Sequence, residues 1–137
     1  MRRFLLVATV AALLTASLAT PALADRPVEF TQVVTFEDLN PCDPPNMDEI
    51  TITFNFRVHE HRNNTVLVID STVSTTAGFE GNGHETTVFA NNAFSSTFNF
   101  VSNNPETGEK MTVKGHMTDS NGELRVDRFT MRCVKDV

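Results

Sequence analysis

The stretch "FNFRVHEHRNNTVLVID", Phe54 to Asp70, decides how this chain folds. Phe54, Phe56 and Val58 alternate with Asn55, Arg57 and His59. A period of two sends apolar side chains to one face of a β-strand and polar ones to the other. Asn63-Asn64 interrupts the pattern before Val66 to Asp70 resumes it. Asparagine tolerates positive φ, so this pair predicts a two-residue hairpin turn. The turn sets a register, with Phe54 opposite Val73, Phe56 opposite Ser71 and Val58 opposite Ile69. On the polar side Arg57 meets Asp70, His59 meets Val68 and His61 meets Val66. A slip of one residue would destroy both the apolar match and the charge pair.

The same alternation extends outward. Val28, Phe30, Val34 and Phe36 share one face of a first strand. "EDLNPCDPPNMDE" (Glu37 to Glu49) holds three prolines and reads as a loop. Ile50 and Ile52 continue the apolar face of the second strand. "AGFEGNG" (Ala77 to Gly83) reads as a glycine loop. Strands over 84–90 and 93–101 follow, turning on Asn91-Asn92 and bringing Phe89 to Phe94. "SNNPETG" (Ser102 to Gly108) is the next loop, and a last hairpin over 109–117 and 123–133 turns on Asn121-Gly122. In that last strand Leu124 and Val126 differ in parity from Phe129, Met131 and Cys133. A bulge near Asp127-Arg128 reconciles them, placing Gly115 opposite Phe129 and Val113 opposite Met131. The fold class is therefore all-β: a single antiparallel β-barrel or β-sandwich of about seven to eight strands.

The chain opens with "MRRFLLVATVAALLTASLATPALA". Arg2-Arg3, the apolar run Phe4 to Leu18 and the small-x-small site Ala22-Leu23-Ala24 are the three parts of a secretory signal. Residues 1–24 are expected to be a leader and residues 25–137 an exported β domain, secreted and extracellular. No other long apolar run is present, so no stable membrane insertion is expected after cleavage. The formal charge is −6, and it becomes more negative without Arg2 and Arg3. Such a surface disfavours nucleic acid as a partner. Cys42 and Cys133 are the two cysteines. In an oxidising compartment a lone pair predicts one disulfide, here between the first loop and the last strand.

Candidate chemistry is sparse. His59 and His61 lie two apart on one strand face, a spacing that places two imidazoles side by side for a metal. Val68 and Val66 face them and cannot ligate, so a third ligand would have to come from His84, Glu85 or His116 on another strand. An exposed polar strand is the competing reading. His116 and Asp127 are placed to meet across the last hairpin, as a base and its orienting carboxylate or as a surface pair. No Gly-x-Ser-x-Gly elbow exists. Asp43, Asn46, Asp48 and Glu49 crowd one loop, and Asp119 to Gly122 is a fragment of a calcium loop lacking its distal Glu. Turn chemistry accounts for the latter. No motif implies a cofactor.

Tryptophan and tyrosine are absent, whereas the chain holds 11 phenylalanines. Phenylalanine fills interiors, and sugar-binding faces and protein hot spots lean on the two missing rings. Phe54, Phe56, Phe89, Phe94, Phe98 and Phe100 fall on the apolar side of their strands. They form either a solid core or the lining of a pocket for a small apolar ligand.

Asn40-Pro41-Cys42, Val58-His59, Asn121-Gly122-Glu123 and the ending Arg128-Phe129-Thr130-Met131-Arg132-Cys133 carry a likeness. The chain resembles a family of small secreted actinobacterial-type β proteins of unknown function, with "NPC" near the mature start and "FxxxC" near the end. Asp43-Pro44-Pro45 departs from the Gly that often follows the NPC in that family. The resemblance implies a secreted β domain with one disulfide, and it implies no activity. The expectation is thus a non-catalytic domain that binds a small apolar ligand or a surface partner. Its rivals are a metal-dependent enzyme using His59 and His61, and a structural cell-envelope component.

Overall fold

A computed structural model describes residues 26–135; the expected leader lies outside them. Seven strands make one antiparallel sheet in sequence order. They are β1 (Val28–Leu39), β2 (Met47–Glu60), β3 (Thr65–Thr75), β4 (Glu80–Ala90), β5 (Ala93–Asn104), β6 (Glu109–Ser120) and β7 (Glu123–Lys135). Each strand pairs only with its neighbours in the chain, and β1 and β7 are the two ends of the sheet. The alternation of the sequence becomes two faces. Phe30, Phe56, Ile69, Glu85, Phe98 and Gly115 fall on one row across β1 to β6, and that row marks the inner face.

The central apolar cluster is Phe56, Val58, Leu67 and Ile69, with Phe30, Phe54 and Phe89 packed against it. Phe30 stacks on Phe56 with ring centres 4.5 Å apart. Farther along the sheet, glycines make room for rings on the next strand. A Cβ on Gly115 would stand 2.2 Å from Phe98 Cζ, and one on Gly83 would stand 2.2 Å from Phe100 Cδ1. Phe98 rather than Phe129 therefore covers Gly115, although Phe129 is its register partner on β7.

The hairpin turns divide into two kinds. Asn91 and Asn92 both take positive φ, 48° and 60°, as do Asn121 and Gly122, at 57° and 80°. These are the mirror-image turns that match strand twist. Phe89 pairs with Phe94 as expected. Asn63 and Asn64 are not among the positive-φ residues, and the connection there is longer: His61 N–H donates to Asn64 O at 2.8 Å. The register accordingly lies two residues from the expected one. Phe54 faces Ser71, Phe56 faces Ile69, Val58 faces Leu67 and His59 faces Val66. A shift of two leaves each side chain on its expected face, which is why the faces are right and the partners wrong.

Three loops are shorter than their compositions suggest. Glu37 to Leu39 and Met47 to Glu49 pair with each other, so the proline loop contracts to residues 40–46. Strand β4 already begins at Glu80, and Gly81 and Gly83 lie inside it. Strand β5 runs on to Asn104. The turn before β4 carries Phe79, 2 % exposed, the most buried large side chain described. Asp48 Oδ1 accepts from Thr76 Oγ1 and Ala77 N–H, and Asn104 Nδ2 donates to Ala77 O, so both flanking strands hold this turn. The bulge forms where expected: Arg128 pairs with His116, Val126 pairs with Met117, and Asp127 is the extra residue. Gly115 faces Phe129 and Val113 faces Met131. Cys42 and Cys133 form the disulfide, with Cα atoms 5.4 Å apart, tying the β1–β2 loop to the end of β7.

Candidate functional site

Three regions gather side chains that could act on another molecule: the inner face, two histidine networks on the outer face, and the flank between β1 and β7.

On the inner face the six phenylalanines expected to line a core or a pocket fall into three neighbouring pairs. Phe56 and Phe98 are buried, and Phe54, Phe89, Phe94 and Phe100 are half-buried. Phe54 lies 5.8 Å from Phe56, Phe89 lies 5.9 Å from Phe94, and Phe98 lies 6.2 Å from Phe100. A polar patch interrupts them. Glu85 is buried, and its Oε1 accepts from Thr87 Oγ1 at 3.0 Å and Ser96 Oγ at 2.8 Å. Thr87 and Ser96 are themselves buried and paired across β4 and β5. Two hydroxyl donors compensate part of the cost of removing a carboxylate from water. This cluster was not legible in the sequence. Glu85 stands beside His84, another candidate third ligand, yet adjacent strand residues face opposite ways, and His84 points outward.

The outer face carries the histidines. Asp70 joins two partners: Arg57 Nη2 donates to its Oδ2, and His84 Nδ1 lies 2.7 Å from its Oδ1. The Arg57–Asp70 pair expected from the sequence thus forms, diagonally, since Asp70 is the register partner of Asn55. The His84 hydrogen bond, and after it the Arg57 guanidinium, hold the Asp70 carboxyl below the usual aspartate range. His84 Nε2 lies 3.3 Å from Thr86 Oγ1. Hydrogen on Nδ1 satisfies both contacts.

His116 forms the second network. Its Nδ1 lies 3.1 Å from Asp127 Oδ2, and its Nε2 lies 3.1 Å from Ser95 Oγ. Thr118 Oγ1 also donates to Asp127 Oδ2. The His116–Asp127 meeting was expected; Ser95 was not, because it approaches from β5, a strand away. Carboxylate, imidazole and hydroxyl follow the order of an activated serine. The surroundings do not complete such a site. Ser95 sits inside β5, paired on one side with Val88 and on the other with Thr118. Its backbone runs between two paired strands rather than through a turn where N–H groups would converge on an oxyanion. The network therefore reads as a clamp across β5, β6 and the β7 bulge.

The metal reading of His59 and His61 finds no third ligand. His59 lies on the outer face of β2, opposite Val66, and His61 lies beyond the end of that strand. His84 and His116 are engaged with Asp70 and Asp127. Among the described residues no group of three His, Cys, Asp or Glu is placed to hold a metal ion. The acidic loops are likewise committed to turns. Asp43 Oδ2 accepts from Asn46, Asp48 Oδ1 holds the 76–79 turn, and Asp119 Oδ1 accepts from Gly122 N–H.

A hollow of about 530 Å³ lies on the outer face, lined by Thr51, Thr53, Thr72, Ser74, Asn82 and Asn103 among others. Val73, Val101 and Glu80 also line it, so polar and apolar groups share the lining, and no ring lines it.

The flank is the third region. Val28 and Phe36 on β1, and Leu124, Val126, Phe129 and Met131 on β7, lie on the inner rows of their strands yet are 40–59 % exposed. Among the described residues neither strand pairs with a further strand on its outward side. This exposure could not be read from the sequence, because inward parity alone predicts burial.

Among the described residues no helix is long and apolar enough to cross a membrane. Comparison of the chain with protein-family models, with curated proteins and with solved structures returns no match.

Proposed function

We propose that this chain is an exported, non-catalytic β domain that works by binding a partner surface through the open apolar flank between β1 and β7. The observation that carries the reading is the exposure of Val28, Phe36, Leu124, Val126, Phe129 and Met131. They occupy inward parity on the two end strands, where a closed barrel would bury them. Large apolar side chains left exposed on inward-facing rows are surface that a partner can cover in use. The outward edges of the same strands, which pair with no further strand among the described residues, add hydrogen-bonding groups that a partner backbone can meet. Export is supported by the leader pattern and by the Cys42–Cys133 disulfide. The likeness to small secreted proteins of the NPC type agrees with this reading. The alternative of a small ligand among the phenylalanines is less favoured, because Phe56 and Phe98 are buried and packed against neighbouring rings.

The test is fluorescence of an anilinonaphthalene sulfonate dye with the oxidised protein, at dilutions where its mass is that of one chain. The reading expects enhancement that falls several-fold in the double variant Phe129→Ser, Met131→Ser, with far-ultraviolet circular dichroism unchanged. Absence of enhancement in the single-chain protein would refute an open apolar flank.

A further inference from the structure

We infer that the occupant of this flank is a second copy of the same chain, packed about a two-fold axis with β1 of each copy against β7 of the other. The inference rests on the open-flank reading and adds the identity of the partner.

Charge is its basis. Strand β1 carries Glu29, Glu37 and Asp38 and no lysine or arginine. Strand β7 carries Arg125, Arg128, Arg132 and Lys135 against Glu123 and Asp127. The chain is acidic as a whole, so a basic strand is a local departure from its average. The opposite charges thus stand on the two end strands of the sheet, which the Cys42–Cys133 disulfide ties together at one end.

Four of these groups are free to act. Glu29, Glu37, Arg128 and Arg132 are exposed, and none makes an ion pair among the described residues. Glu29 and Glu37 lie on the outer row of β1, with Arg57 and Glu49 as their β2 register partners. Arg128 and Arg132 occupy the outer row of β7, opposite His116 and Thr112. The charges therefore rim the apolar residues, the arrangement of an interface with an oily centre and a polar border.

A two-fold axis makes such a patch complementary to itself. In an isologous contact each residue pair occurs twice, so the acidic border of one copy meets the basic border of the other on both sides of the axis. The apolar rows between them are buried together. An unlike acidic partner would meet β1 with repulsion, and an unlike basic one would meet β7 with repulsion.

Light scattering across a concentration series tests this on the full chain with its disulfide formed. The expected result is a mass of two chains at high concentration and of one on dilution, with weaker association at high salt. Glu29→Arg with Glu37→Arg should raise the dissociation constant roughly tenfold, since two exposed charge pairs are reversed on each side of the axis. Arg128→Glu with Arg132→Glu should do the same, and the four changes combined should restore association. Restoration in the combined variant supports the inference. A single-chain mass throughout, with the dye still bound, overturns the second copy while leaving the open flank standing, and points to a small apolar ligand or an unlike protein. A single-chain mass without dye binding overturns both. A dimer indifferent to the reversals uses another face and also overturns the inference.

Discussion

The ring of Phe98 lies over Gly115 on the adjacent strand, so close that any Cβ there would stand 2.2 Å from Phe98 Cζ. Phe98 is 8 % exposed and cannot swing into water without leaving the interior. The missing side chain on β6 is thus part of how β5 packs. Gly115→Ala should destabilise the fold by about 1–3 kcal/mol, the range for overpacking a filled site. Chemical denaturation measures it. Pairing it with Phe98→Leu should recover part of the loss relative to the sum of the two single variants, because both act on one volume.

The disulfide closes a loop with a sequence separation of 91. Chain entropy assigns such a cross-link about 4–5 kcal/mol as an upper figure. Cys42→Ser with Cys133→Ser should therefore lower the denaturation midpoint strongly. The β1–β2 loop should lose protection in hydrogen exchange before the Phe56 cluster does, since that cluster lies between β1, β2, β3 and β4 and does not touch the bond.

Asp70 provides the pH dependence. Its folded pKa is depressed by the His84 hydrogen bond and by Arg57. A depressed carboxyl stabilises the folded state fully above its unfolded pKa, and that contribution disappears as pH falls through the lower, folded value. Stability measured through the acidic range should decline less steeply in Asp70→Asn than in the parent chain. Because the group is half exposed, the difference should be small and should shrink in salt.

Inside the sheet, Glu85 depends on two hydroxyls. Ser96→Ala removes one donor from a buried carboxylate and should cost about 1–3 kcal/mol. Glu85→Gln keeps an acceptor for both hydroxyls without a buried charge, and should cost less than Ser96→Ala or even stabilise. Thermal unfolding of the two variants beside the parent decides this.

What could be read beforehand follows the range of each interaction. Alternation placed Phe54, Phe56 and Val58 on the inner face because parity is a property of one strand. Parity also gave away the bulge at Asp127, since Val126 and Phe129 must both face inward. Turn geometry was less accessible. Asn91-Asn92 and Asn63-Asn64 are the same dipeptide, yet only the first takes positive φ at both residues. The difference arises from the strands they join, so the β2–β3 register lay two residues away while its faces stayed correct. Composition misled at Gly81 and Gly83, which lie within a strand rather than a loop and mark the close approach of the β5 backbone and of the Phe100 ring, respectively. Ser95 beside His116, and the open flank, depend on which strands meet and which do not. No single stretch of sequence encodes that.

The central claim is that the sheet is open between β1 and β7 and that this opening is where the domain binds. Residue-resolved hydrogen exchange on the dilute, single-chain protein tests it most directly. Alternate amides of β1, those directed away from β2, should exchange fast, as should those of β7 directed away from β6, while the amides of β2 to β6 stay protected. At concentrations where a partner copy is bound, the flank residues should gain protection. Uniform protection along both β1 and β7 in the single chain would show that these strands pair with each other, and would contradict the account.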